Sequence, residues 1–233
     1  MRCYHMDKER IISPIAYIKT DFPDKFGVPR QSGRVDSLVG EIVFLPEYSA
    51  HEAFRGIEEF SHLWLIFDFS LAHREGFSPT VRPPRLGGNT RVGVFASRSP
   101  FRPNSIGLSS VKLESVEFRD GIAVLRVKGA DLVDNTPIFD VKPYIPYSDS
   151  HPDALGSYSD IHADHSLDVV FPDELIDAIP EDKRRALIDT LSDDPRPSYQ
   201  EDSEREYVMS FAGFDVGFRV KDCTLTVTSV KKL

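Results

Sequence analysis

The feature that most constrains this chain is a succession of short β-rich runs with no helical segment between them. From residue 10 to about 147 the runs IISPIAYI, GEIVFL, HLWLIFDF, RVGVFAS, IGLSSVKLESVEF, GIAVLRVKG and PIFDVKPYI are dominated by Val, Ile, Phe and Tyr, and Gly or Pro clusters separate them. A doubly wound parallel sheet needs crossover helices between its strands, so their absence leaves a mainly β architecture, a barrel or a sandwich. One short helix is expected at His51–Gly56, where HEAFRG follows Pro46.

The pattern then changes. Residues 148–166, SDSHPDALGSYSDIHADHS, are polar, lack apolar periodicity and read as a linker or an ordered loop. In FPDELIDAIPEDKRRALIDTLSDD, Leu175, Ile176 and Ile179, then Leu187, Ile188 and Leu191, recur at helical spacing, and Pro180 divides two short helices. The closing REYVMSFAGFDVGFRVKDCTLTVTSV reads as two or three strands. The expected organisation is a β-rich domain over 1–150 and a small α+β domain over 151–233.

Charge is divided along the same line. The formal net charge is -9, but residues 1–150 hold 19 basic and 19 acidic side chains, whereas 151–233 hold 9 against 18. Between Glu75 and Glu114 no acid occurs, while Arg82, Arg85, Arg91, Arg98, Arg102 and Lys112 all do, which sets up a local positive field despite the acidic total. The opening MRCYHMDKER has no apolar signal core, and the longest apolar stretch, around Leu63 to Phe69, is too short to cross a bilayer as a helix, so a cytoplasmic protein is expected. Cys3 and Cys223 lie near opposite ends without CxxC spacing, which implies neither a disulfide framework nor a thiolate zinc site.

Four stretches carry residues suited to chemistry. VRPPRLGGNTRVGVFASRSPFRPNSIGLS, residues 81–109, combines prolines that fix φ, glycines that permit close backbone approach and five arginines, a composition suited to a polyanion or a carboxylate. It contains neither a P-loop nor a GxGxxG fingerprint. VPRQSG, residues 28–33, sets Arg30 and Gln31 after a proline in a loop. GADLVDNTPIFDVKPYIP, residues 129–146, brings Asp131, Asp134 and Asp140 around a turn, where they could hold a divalent cation or hydrogen-bond a ribose and an amino group. In DDPRPSY, residues 193–199, Arg196 and Tyr199 pair a cation with a stacking surface, which suits an unpaired base and its phosphate. His62 stands at the mouth of an apolar strand, where a partly buried side chain is the ordinary reading. His162 and His165 with Asp160 and Asp164 lie in a linker-like stretch with no cysteine, and no metal is expected there.

Through PRQSG, FRGIEEFSHLW, PTVRPPRLGGNTRVGVFASRSPFRPNSIGLS, DLVDNTPIFDVKPYIPYSDS and DPRPSY, nearly the whole chain resembles, in order, the TrmO (tsaA-like or YaeB-like) family of tRNA (adenine-N6)-methyltransferases. The resemblance implies a single-sheeted β-barrel that binds S-adenosylmethionine, a smaller C-terminal domain, and a homodimer with the cofactor site close to the subunit interface. It implies cofactor contacts at Pro29, Arg30, Gln31, His62, Leu63, Arg91, Arg98, Leu108, Asp131, Leu132, Val133 and Asp134, and tRNA placement by Asp194, Pro195, Arg196, Pro197 and Tyr199. Asn135 stands where glycine is common in the family, and Ser97 where threonine is common.

The substrate so implied is N6-threonylcarbamoyladenosine next to the anticodon, whose nucleotides can be splayed out without melting a duplex. Methyl transfer from a sulfonium is an in-line displacement in which positioning supplies much of the acceleration. The acceptor nitrogen must lose its proton, and Asp131 and Asp134 are candidates to assist, although anchoring a cofactor fits them equally. Arg85, Arg91, Arg98 and Arg102 suit carboxylates and tRNA phosphates. The competing readings are a noncatalytic RNA-binding module, and a metal-dependent hydrolase built on Asp131, Asp134, Asp140 and His62.

Overall fold

The computed structural model describes residues 10–83, 86, 89–158, 166–196 and 202–233. Among them the β-rich runs close into a six-stranded antiparallel barrel in the order β1 (Ala16–Lys19), β2 (Val39–Phe44), β7 (Ile122–Lys128), β6 (Ile106–Arg119), β3 (His62–Asp68) and β8 (Thr136–Pro143), with β8 returning to β1. A two-stranded hairpin of β4 (Thr80–Val81) and β5 (Val92–Gly93) stands apart from it. The expectation of a mainly β fold is therefore met, as a barrel rather than a sandwich.

Alternation along each strand explains the closure. Ala16 and Ile18, Ile42 and Phe44, Leu63, Leu65 and Phe67, Leu125 and Val127, and Ile138 all point inward and are buried, so one contiguous apolar face has to wrap on itself. β6 supplies the corner: its first half pairs with β3 over Ile106–Lys112, its second half pairs with β7 from Lys112 to Arg119, and a register shift between Leu113 and Ser115 turns the strand between partners. On the outer wall Arg119 spans Glu41 and Glu117 at 2.8 Å, and Glu114 takes Arg126 at 2.7 Å and Lys128 at 2.5 Å. These charges neutralise one another, whereas the arginines of 82–102 have no acid in their own stretch of chain.

Beyond the barrel come a single turn of helix, α1 (Pro146–Asp149), the short strand β9 (Asp168–Val170), α2 (Asp173–Ile176) and α3 (Glu181–Ser192), then β10 (Tyr207–Phe211), β11 (Phe214–Lys221) and β12 (Thr224–Lys232). Pro180 separates the two helices as expected, standing just before α3, and a 3-10 turn occupies His51–Phe54. β10, β11 and β12 form an antiparallel sheet whose β12 edge takes β9 in parallel; three residues of DVV were too short a run to read as a strand.

A second core forms between this sheet and α3, with Leu187, Leu191, Met209, Phe211 and Phe218 inside it. Phe22, Val35 and Leu38, from the connection between β1 and β2, belong to the same core, and Phe26 and Val28 pack against it. Phe22 meets Phe211 edge-on at 5.3 Å. Gly27, at φ +96, lets the connection pass so close to Met209 that a Cβ would lie 2.1 Å from its Sδ. Truncating Phe22 removes one of the largest fully buried side chains, so Phe22→Ala should lower the unfolding free energy by about 3–5 kcal/mol in urea titration.

Candidate functional site

A cleft of about 1210 Å³ begins at one rim of the barrel and runs down the outer wall of β3. The β1–β2 connection contributes Lys25 and Val28 to Ser32, the segment after β5 contributes Ser97, Arg98, Pro100 and Arg102, and the start of β6 contributes Ile106 to Ser110. Asp131, Leu132 and Val133 come from the β7–β8 turn, and His62, Trp64 and Tyr144 line the far end. Backbone shape admits these walls. A Cβ on Gly107 would lie 2.2 Å from the Phe67 ring, so only glycine lets that ring cover the strand.

At the rim the polar groups are chained together. Arg98 donates to Gln31 Oε1, Gln31 Nε2 donates to the Arg30 carbonyl at 2.5 Å, and Arg30 donates to the Arg196 carbonyl at 2.5 Å. Asp131 sits behind them. Its Oδ1 is shielded from solvent and meets no hydrogen-bond partner, an orphaned acceptor that carries a free-energy cost unless something supplies a donor. Burial pushes the Asp131 carboxyl above its ordinary range, against the opposing influence of the Ser109 hydroxyl, the backbone N–H groups of Asp131 and Ser32, and the Arg98 charge.

The expected site residues do not all gather there. Pro29, Arg30, Gln31, His62, Arg98, Arg102, Leu108, Asp131, Leu132 and Val133 line the cleft. Leu63 points into the barrel core, and Arg91 lies on the hairpin, donating to Thr80 Oγ1 at 3.2 Å. Asp134 faces away: its Oδ1 accepts the Thr20 N–H at 3.0 Å, its Oδ2 accepts Asn135 Nδ2 at 2.6 Å, and it borders a separate depression beside Asp21 and Lys183. Asn135 has φ +59, which explains glycine as its common alternative. Arg102 braces its own loop through the Ser97 carbonyl at 2.7 Å. Asp194 is buried and holds the Arg196 guanidinium at 2.8 and 2.9 Å, so its side chain serves that arginine. Pro195 sits between them in sequence. Arg85, Pro197 and Tyr199, like Asp160, His162, Asp164 and His165, lie outside the described residues.

A hydrolytic metal centre on Asp131, Asp134, Asp140 and His62 is not assembled, because Asp140 pairs with Lys142 at 2.8 Å and Asp134 is held at Thr20. Among the described residues no three His, Cys, Asp or Glu side chains are grouped to hold a metal ion.

Sequence reading missed Trp64 and Tyr144. Their rings lie 5.5 Å apart, His62 is 6.2 Å from Tyr144, and the Trp64 indole N–H donates to Asp149 Oδ2 at 2.8 Å. The Ile145 N–H also donates to Asp149, and the two bonds hold that carboxyl below its ordinary range. The signal was present: with Leu63, Leu65 and Phe67 inward, alternation sends His62 and Trp64 outward.

A closed antiparallel barrel with an arginine-bearing rim, rather than a Rossmann sheet, carries this site. The tRNA-methyltransferase O N-terminal domain matches residues 17–150 and the TrmO C-terminal domain matches residues 164–233, so the chain belongs to the TrmO family. It is 40% identical over 225 residues to the tRNA (adenine(37)-N6)-methyltransferase of Escherichia coli K12, covering 93% of this chain and 96% of that one. A Pyrococcus abyssi relative named "Probable S-adenosyl-L-methionine-binding protein" is 40% identical over 136 residues, covering 58% of this chain and 68% of its own length. The crystal structure of TrmO from P. aeruginosa superposes with a TM-score of 0.79 at 31% identity, covering 98% of this chain and 100% of that one.

The raised Asp131 carboxyl makes a signed prediction. The folded chain keeps this proton over a range in which the unfolded chain has released it, so the stability contributed by the protonated form is present at low pH and lost as pH rises through the raised value. Asp131→Asn should therefore melt close to the parent near about pH 4, gain on it as pH rises above the ordinary carboxyl range, and hold that gain once the raised value is passed. A melting difference that stays flat as pH rises would show the carboxyl to be unperturbed.

Proposed function

We propose that this tRNA (adenine-N6)-methyltransferase uses S-adenosylmethionine to methylate N6-threonylcarbamoyladenosine beside the anticodon, acting as a cytoplasmic homodimer. The observation that carries the reading is the shielded, orphaned Asp131 oxygen at the back of a guanidinium-lined cleft. A zwitterionic, ribose-bearing cofactor fits such a wall. Arg98 and Arg30 offer forks for carboxylates, Asp131 offers an acceptor for an ammonium or a hydroxyl, and Leu108, Leu132 and Val133 offer apolar cover for uncharged parts. When bound, S-adenosylmethionine supplies an electrophilic methyl group on a sulfonium.

The chain's own contribution is to hold, orient and deprotonate. Of the two carboxylates considered for the N6 proton, Asp131 faces the cleft, whereas Asp134 is occupied by Thr20 and Asn135. A carboxyl raised by burial is a better base near neutral pH than an ordinary one, since its pKa lies nearer the working range. The threonyl carboxylate of the modified base is a second anion, for which the remaining cationic groups of 82–102 are suited. Exposed Phe77 and Phe95, 59% and 74% accessible with their rings 6.4 Å apart, support a homodimer that covers them.

Mass spectrometry of tRNA nucleosides from cells with and without the gene should show one extra methyl group on threonylcarbamoyladenosine only when the gene is present; equal spectra refute the substrate assignment. In purified enzyme Arg98→Ala should weaken S-adenosylmethionine binding by calorimetry. Asp131→Asn should lower kcat by about 10²–10⁴.

A further inference from the structure

The cleft has two chemically different ends. The rim end is polar and charged, with Arg30, Gln31, Arg98 and Asp131, while the end along the wall of β3 is aromatic, with His62, Trp64 and Tyr144. At about 1210 Å³ the cleft exceeds the roughly 300–1,000 Å³ that encloses one small ligand. Two reactants can lie along it.

We propose that Trp64 and Tyr144 form a stacking shelf for a purine ring, and that the purine is the RNA base rather than the cofactor's adenine. The shelf is held in place from behind. Asp149 fixes the indole through its N–H at 2.8 Å and binds the Ile145 N–H at 2.8 Å, and the Tyr144 N–H donates to the His62 carbonyl at 2.9 Å, so ring and strand move together. A rigid π-face loses little freedom on stacking, and any base stacked there gains without needing hydrogen bonds.

The surroundings favour the RNA. Lys112 lies opposite His62 and Lys142 opposite Trp64 in the strand register, which brings cations alongside the shelf as a backbone phosphate requires, although Lys142 also pairs with Asp140 at 2.8 Å. Tyr147, in the turn that carries Asp149, is 92% exposed. The charged amino-acid tail of the cofactor finds its ionic complements in Arg30, Arg98 and Asp131 rather than in the rings. This inference rests on the methyltransferase reading, because it is that reaction that brings two purines to one cleft.

Trp64 is the single tryptophan of the chain, so its fluorescence reports on the shelf alone. Calorimetry first establishes whether S-adenosylmethionine and a threonylcarbamoylated anticodon stem-loop RNA bind, and fluorescence is then read in each titration. Quenching by the RNA with little change on cofactor binding is expected. Quenching by the cofactor alone overturns the assignment to the RNA and gives the shelf to the cofactor's adenine. Binding of both with no quenching overturns the shelf, whereas binding of neither condemns the methyltransferase reading instead. With turnover as readout, Tyr144→Ala should raise the KM for RNA about tenfold or more, in line with the loss of one stacked base, and leave that for S-adenosylmethionine unchanged. Tyr144→Phe should restore the parental value, which a loss of folding would not allow.

Discussion

The placement of the β1–β2 connection governs the rest of the molecule. Phe22, Val35 and Leu38 leave the barrel and are buried beside Met209, Phe211 and Phe218, while the intervening Pro29 to Ser32 return to the cleft. A surface loop carrying a proline, an arginine and a glutamine would sample many shapes, and its ordering would cost conformational entropy on every binding event. Here that cost is met in folding. The second core fixes both ends of the connection, and the polar seam of Arg34 with Asp193 at 2.5 Å and Ser37 with Asp189 at 2.6 Å fixes its far side.

The acidic C-terminal module therefore meets this connection through paired groups. The carboxylates nearest the connection are committed: Asp193 to Arg34, Asp194 to Arg196, and Asp189 to Ser37 and Arg185. Through the Arg196 carbonyl, which accepts from Arg30, the module lends the cleft orientation rather than charge. The positive field is left to 82–102, where no acid dilutes it.

The barrel was legible because its information is local. Alternation in GEIVFL and HLWLIFDF and the Gly and Pro breaks specify strands, and the absence of crossover helices excludes a parallel sheet. Pro180 likewise marks the break before α3. What escaped is nonlocal. Nothing in DFPDKFGVPRQ says that Phe22 will join a core built from residues near 210, or that Asp134 will turn to Thr20 while Asp131 three residues earlier faces the cleft. Such partitions are set by which groups the closed fold brings opposite one another. Trp64 is intermediate: its outward direction was readable, but its meeting with Tyr144 and Asp149 needed β8 to lie beside β3.

Closure of the β8–β1 seam has a consequence for how such a protein can vary. Every strand of the cylinder is paired on both sides over part of its length, so among the described residues no barrel strand offers a whole unpaired edge to grip a ligand or a neighbouring chain. Recognition must be delegated to connections and to outward side chains. The cylinder can stay the same from one descendant to the next while those parts are rewritten, and a change of substrate need not disturb the element that makes the protein fold.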